Sequence, residues 1–218
     1  MAPDRFVHDA RDHGLTGDGR TNDQPALQAL VDVLAKGLGL QYVLRGRFHD
    51  LYIHDTPATG FGCDFLQDTF VDGLLVVHCG RLERQGEWLG GAGIGIGTGG
   101  WGTTERCTVS SCTTVRNGTN GTNGTNGTFF ELQDRRWPAT RGIRVIGCHS
   151  EGNRFGISDW GADGLVVSGC TLIGNHQAGY DVSALGTSAV AATRFDTEPS
   201  RGCWYHNHGL DDCPGRRP

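Results

Sequence analysis

Apolar residues recur along this chain in one frame: Leu74-x-Val76-x-x-Cys79, Cys107-x-Val109-x-x-Cys112, Ile143-x-Val145-x-x-Cys148 and Leu165-x-Val167-x-x-Cys170. Leu51-x-Ile53-x-x-Thr56 opens the series with Thr in the Cys place. The apolar positions alternate, so each unit predicts a short strand with one face inward. Self-similarity at a near-constant period predicts stacked units, none of which buries its apolar face alone. Cys148 to Cys170 spans 22 residues and Thr56 to Cys79 spans 23, enough for one coil of a β-solenoid. The intervals of 33 and 36 residues between these pairs read as coils lengthened by inserts at 82–91 and in the Asn-Gly-Thr run of 117–128.

Five residues beyond three of the cysteines stands an asparagine (Asn117, Asn153, Asn175), which predicts a tight turn at one corner of each coil. A second strand per coil follows: Gly62-Cys-Asp64, Gly95-Ile-Gly97, Phe129-Phe-Glu131, Gly156-Ile-Ser158 and Gly179-Tyr-Asp181. With the middle residue inward, one outward column is mostly glycine and the other reads Asp64, Gly97, Glu131, Ser158, Asp181. Ahead of the solenoid, residues 21–35 predict a helix. Thr21-x-x-Gln24 forms a capping box, Pro25 suits the first turn, and Leu27, Leu30, Val31 and Leu34 share one face. Such a helix covers the first coil and blocks edge pairing.

Composition narrows the class. Among 218 residues, 36 glycines without a Gly-x-y period indicate a turn-dense β protein and exclude collagen. A net charge of −5 argues against a nucleic-acid surface. No apolar run approaches the ~18–20 residues of a membrane helix, and the N-terminus has no apolar stretch of the signal-peptide kind. Four of the eight cysteines share one repeat position, which reads as a stack of buried, free thiols used for packing. Cys203-x-x-His206-x-His208-x4-Cys213 contains zinc-ligand residue types, but its spacing matches no zinc pattern, so no metal is assigned. Each Asn-Gly-Thr is formally a glycosylation sequon.

The block from Val7 to Asp23, with Gly17-Asp-Gly19 and Thr21-Asn-Asp23, resembles the lead-in segment of the pectate lyase superfamily domain, a group that includes rhamnogalacturonase-like and epimerase-like proteins. Gly93-Ile-Gly-Ile-Gly97 and Gly152-Asn153 are similar to coils of the same group. The resemblance implies an all-β, right-handed, single-stranded parallel β-helix of the pectin lyase type, carbohydrate-active, and extracellular or virion-associated. Lys36-Gly-Leu-Gly-Leu40 leads directly into Arg45-Gly-Arg-Phe-His-Asp50, where the family has a Gly-rich strand, a proline-containing turn and further coils. The expected organisation is a lead-in and capping helix at 1–40, about five coils at 41–195 without the family's first ones, and an irregular tail at 196–218.

The candidate chemistry lies on the second strands. Asp64, Glu131 and Asp181 on alternate coils place neighbouring carboxylates ~9–10 Å apart, near the upper end for an inverting glycosidase pair. Asp159 stands beside them. The glycine column predicts a shallow open groove, and Trp101, Trp137 and Trp160, just past the same strands, suit stacking on sugar rings. Arg136 and Arg141 sit in a segment that resembles the Arg-x-Pro-x-x-Arg of pectate lyases; their ordinary role is a salt bridge or binding of an anionic sugar. The pectate lyase calcium site has no recognisable counterpart, so no cofactor is expected. The expected partner is a polysaccharide or oligosaccharide. Hydrolysis, with Glu131 as acid and Asp64 or Asp181 as base, leads over lyase or epimerase chemistry, with a non-catalytic module as the rival.

Overall fold

The computed structural model describes residues 12, 14–16, 20–33, 38–80, 83–84, 87–88, 91–98, 104–118, 126–131, 140–181 and 189–196. Three parallel sheets of six strands run through them. A long-strand sheet contains Leu38–Leu44, Phe61–Gln67, Ala92–Gly97, Asn126–Glu131, Phe155–Trp160 and Ala178–Asp181. The second sheet contains Arg47–His49, Phe70–Asp72, Thr108–Ser110, Arg144–Ile146, Val166–Ser168 and Ala189–Ala191. The third contains Tyr52–His54, Leu75–Val77, Thr113–Val115, His149–Glu151, Thr171–Ile173 and Arg194–Phe195. The chain visits the three sheets in turn, one strand per sheet per coil, and parallel crossovers take the right hand. The result is a right-handed parallel β-helix of six coils. The first coil, which starts at Leu38, was not visible in the repeat.

Each coil is built from a five-residue unit: an inward corner residue, a three-residue strand with its middle side chain inward, and a residue in the left-handed region. Among the described residues ten non-glycine residues have positive φ, and all but Phe65 follow a strand or bridge directly at a corner. In the fourth and fifth coils the same corner positions are Gly142, Gly147, Gly152, Gly164, Gly169 and Gly174. Ala192, at φ 48°, holds this conformation with a Cβ that disfavours it by ~1–2 kcal/mol. Ala192→Gly is therefore expected to stabilise the protein by about 1 kcal/mol, read as a higher melting temperature; an unchanged or lower one contradicts the strain at this corner.

The five-residue unit occurs twice per coil and corrects the sequence alignment. Leu51-x-Ile53-x-x-Thr56 and Leu74-x-Val76-x-x-Cys79 frame strands of the third sheet, whereas the other three motifs frame the second. The corner column between these sheets is Leu51, Leu74, Cys112, Cys148 and Cys170, joined by Leu75 N–H to Leu51 O, Thr113 to Leu74, His149 to Cys112 and Thr171 to Cys148. Cys79 belongs to the next corner, with Thr56, Asn117, Asn153 and Asn175. The six described cysteines are buried and free. Burial pushes the Cys107 thiol up to about 12, and hydrogen bonding to Cys112 does the same for Cys148. Protonated thiols of this kind pack; they do not attack. Cys203 and Cys213 lie outside the described residues.

The asparagine corner is a buried ladder. Asn117 Oδ1 accepts from Cys79 N–H, Asn153 Oδ1 from Asn117 N–H and Asn175 Oδ1 from Asn153 N–H, at 2.9, 2.9 and 3.1 Å. Asn117 is buried within it, so this sequon presents no acceptor for a glycan.

Over the first coil lies the helix Gln24–Val33. Asp23 caps it, its carbonyl accepting from Leu27 N–H, in place of the expected Thr21–Gln24 box. Leu27 and Leu30 are buried. Gln28 imitates a strand: its Oε1 accepts from Tyr52 N–H at 2.9 Å and its Nε2 donates to Tyr52 O at 3.0 Å. Gln24 Nε2 donates to Asp50 O. The Gln28 bonds satisfy both backbone groups of Tyr52 on the edge strand of the third sheet.

Candidate functional site

The outer face of the long-strand sheet carries the candidate residues because Phe61, Cys63, Ile94, Ile96, Phe130 and Ile157 alternate with them and turn into the core. The strand register places two outward columns there. One runs Gly39, Gly62, Gly95, Phe129, Ser158, Asp181; the other runs Asp64, Gly97, Glu131, Trp160. Asp64 and Glu131 thus share a column, separated by one glycine, as expected. Asp181 and Ser158 do not: they stand in the neighbouring column with Phe129, and Trp160 takes the place beside Glu131 that Ser158 was expected to fill.

The face is not the uniform open groove that glycine content predicted. Gly39 is exposed and Gly62 and Asp64 are half-buried, but from the third coil onward Gly95, Gly97, Phe129, Glu131, Ser158 and Asp181 are buried. Burial pushes the Asp64 carboxyl above the usual aspartate range. Phe129 lays its ring over Gly95 and stacks on Trp160, with centroids 5.2 Å apart and planes at 24°. Trp160 Nε1 donates to Asp181 Oδ2 at 3.0 Å. Arg154, at the upstream end of the same strand, has its pKa lowered by burial, which the Asp181 carboxylate partly offsets, and donates to Gln177 Oε1 at 3.0 Å.

Other candidates have local duties. Asp159 is wholly buried in the inward column with Phe130, and its Oδ1 accepts from Gly161 and Ala162 N–H at 3.2 and 2.8 Å, which holds the turn after the strand. Arg141 is exposed at the corner leading to the second sheet and pairs with Glu105, Nη2 to Oε1 at 2.6 Å, the salt-bridge role expected of it. Trp101, Arg136 and Trp137 lie outside the described residues. The sequence places Phe129 in the outward glycine column without singling it out; the glycines preceding it there were the available signal.

A further glycine column, Gly60, Gly93, Gly127, Gly156 and Gly179, lies at the bend into the long strands, where the backbone approaches the third sheet and the asparagine ladder. The expected single glycine column therefore divides into two with different purposes: Gly39, Gly62 and Gly95 on the outer face, and these five against neighbouring backbone.

The chain matches no protein-family model. Over 78 residues it is 36% identical to the mannuronan C5-epimerase AlgE3 of Azotobacter vinelandii. The match covers 35% of this chain, which spans only 4% of that relative's length. A crystal structure from Parabacteroides merdae, provisionally described as a glycosyl hydrolase, superposes with a TM-score of 0.47 at 14% identity, over 85% of this chain and 93% of the other. The epimerase match accords with the resemblance of the lead-in segment to the pectate lyase superfamily and its epimerase-like members. Among the described residues no group of three or more His, Cys, Asp or Glu side chains is placed to hold a metal ion, and no helix is long and apolar enough to cross a membrane.

Proposed function

We propose that this protein is a carbohydrate-active β-helix that binds a polysaccharide or oligosaccharide on the outer face of its long-strand sheet and hydrolyses it with Asp64 and Glu131. The observation that carries this reading is the column Asp64–Gly97–Glu131, two carboxylates on one face of the sheet with a glycine at the position between them. Two strand spacings separate their backbones by ~10 Å, close to the distance at which an inverting pair admits a water. Burial raises the Asp64 carboxyl, which suits it to donate a proton to the leaving oxygen, with Glu131 in the role of the base that takes a proton from water. This reverses the expected roles of the two groups. Trp160, Trp101, Trp137 and Arg136 remain candidate sugar contacts, and Asp181 supports the site through Trp160.

A second reading, epimerisation or elimination on a uronic acid polymer, is supported by the mannuronan C5-epimerase match. Incubation with mannuronan, polygalacturonate and neutral glucans and xylans separates the readings. Hydrolysis releases reducing ends without ultraviolet absorbance, elimination adds the absorbance of an unsaturated ring, and epimerisation changes the proton NMR signals of the uronates without new ends. Glu131→Gln and Asp64→Asn are each expected to lower reducing-end release by at least about a hundredfold, the span of general acid–base catalysis. As proton donor, Asp64 sets the high-pH limb of the profile, which falls above the ordinary carboxylate range. Full activity in both variants sinks the hydrolytic reading, and binding without turnover leaves a non-catalytic module.

A further inference from the structure

Side chains are missing from the first three positions of one outward column, Gly39, Gly62 and Gly95, and the fourth is Phe129. The three glycines are not equivalent. A Cβ on Gly39 would meet nothing within 4 Å, and one on Gly62 would meet only the Thr59 methyl at an ordinary 3.6 Å and atoms beyond it. A Cβ on Gly95 would lie 2.8 Å from two atoms of the Phe129 ring. The floor is therefore clear over two coils and filled at the third. The obstruction is fixed in place: Phe129 stacks on Trp160, and Trp160 is tied to Asp181 by its indole N–H. Exposure follows the same division, with Gly39, Gly62 and Asp64 accessible and Gly95, Gly97 and Phe129 buried.

We propose that the Phe129–Trp160 pair closes the glycine column at the third coil, beside the column of Asp64 and Glu131, so that the site receives the end of a glycan chain over Gly39 and Gly62 and excludes an internal stretch of polymer. This inference rests on the carbohydrate reading and adds to it the part of the substrate that is recognised. A sugar entering from the first coil has a bare backbone floor about two strand spacings, or ~10 Å, long. It then meets the wall formed by Phe129, with Asp64 in the adjacent column at the last accessible position. An internal segment of a polymer would have to continue through the volume that the Phe129 ring occupies. Phe129 is in this sense a specificity-determining residue; it has no part in the chemistry. The wall also accounts for a glycine at position 95, since any side chain there would displace the ring.

The test is calorimetric binding of the full chain to trimers of mannuronate, galacturonate, glucose and xylose, each free, capped at its reducing end with 2-aminobenzamide or methylated at O4 of its non-reducing ring. The parent polymers are measured per mole of ends. One trimer is expected to bind and to lose about tenfold or more in affinity when one of its two ends is capped. Phe129→Ala is expected to abolish that discrimination and let the polymer bind along its length, at several sites per chain. Gly62→Phe, placed where a Cβ is tolerated, fills the floor and is expected to remove binding while leaving the melting curve in place. Equal binding of the free trimer and of both its singly capped forms by the wild-type protein overturns the chain-end inference and leaves the carbohydrate reading standing, as does full binding by Gly62→Phe. No binding of any probe overturns both.

Discussion

Asn153→Ala is expected to cost the fold about 4 kcal/mol. Asn153 is wholly buried, and its side chain serves three coils. Oδ1 accepts from Asn117 N–H and Nδ2 at 2.9 and 3.0 Å. Nδ2 donates to Thr114 O at 3.0 Å and to Ser150 Oγ at 2.9 Å. Truncation leaves at least two buried backbone groups, Asn117 N–H and Thr114 O, without these partners, and each buried orphan costs ~1–3 kcal/mol. Against a total stability of ~5–15 kcal/mol, that is a large fraction. Denaturant titration reads it as a lower midpoint at unchanged slope. A shift under about 1 kcal/mol refutes the view that the ladder carries the corner.

Gly127→Ala acts by a different route and is expected to be at least as severe. A methyl group at this position would run into Ser150 Oγ and lie 2.5 Å from both Gly156 O and Thr114 Oγ1. Gly156 O belongs to the paired strand Phe155–Trp160, whose backbone cannot give way without breaking its register. Overpacking against backbone exceeds the ordinary ~1–3 kcal/mol of a crowded core and falls in the tail above ~4 kcal/mol. The readout is loss of soluble, cooperatively melting protein. Gly39→Ala is the control, since its methyl has open space and stability should hold. A Gly127→Ala protein that melts with the wild type would mean the coils are looser at this bend than their backbone spacing implies.

The fold was legible because the inward residues of a β-helix recur with its coils, and inward residues are what a hydrophobic pattern records. What escaped was register. The frame apolar-x-apolar-x-x-apolar describes five-residue units of both the second and the third sheets, so Leu74–Cys79 in the third sheet matched Ile143–Cys148 in the second although they face different sheets. The carboxylate column slipped for a related reason. Aligning Ser158 with Glu131, when Glu131 pairs with Trp160, is an error of two residues. A slip of two preserves the alternation of inward and outward side chains, so hydrophobicity cannot detect it. Burial of the outer face was illegible too. Asp181 and Ser158 lie at outward positions of a strand, yet nothing in their alternation says that water is excluded there.

The two ends of the solenoid differ in how their corners are made. Through the first three coils the left-handed positions are filled mostly by Arg45, Asp50, Asp55, Asp68, His78, Arg106, Ser111 and Arg116; through the fourth and fifth, by glycine alone. The asparagine ladder spans the third to fifth coils and does not reach the first two, where Thr56 and Cys79 hold its place. Stability in a stacked array is a sum of unit and neighbour terms, and here both lean toward the C-terminal coils. The coils with the bare glycine floor and the accessible Asp64 are thus the ones that open at lower free energy, and a ligand seated on them would be felt as local tightening at that end.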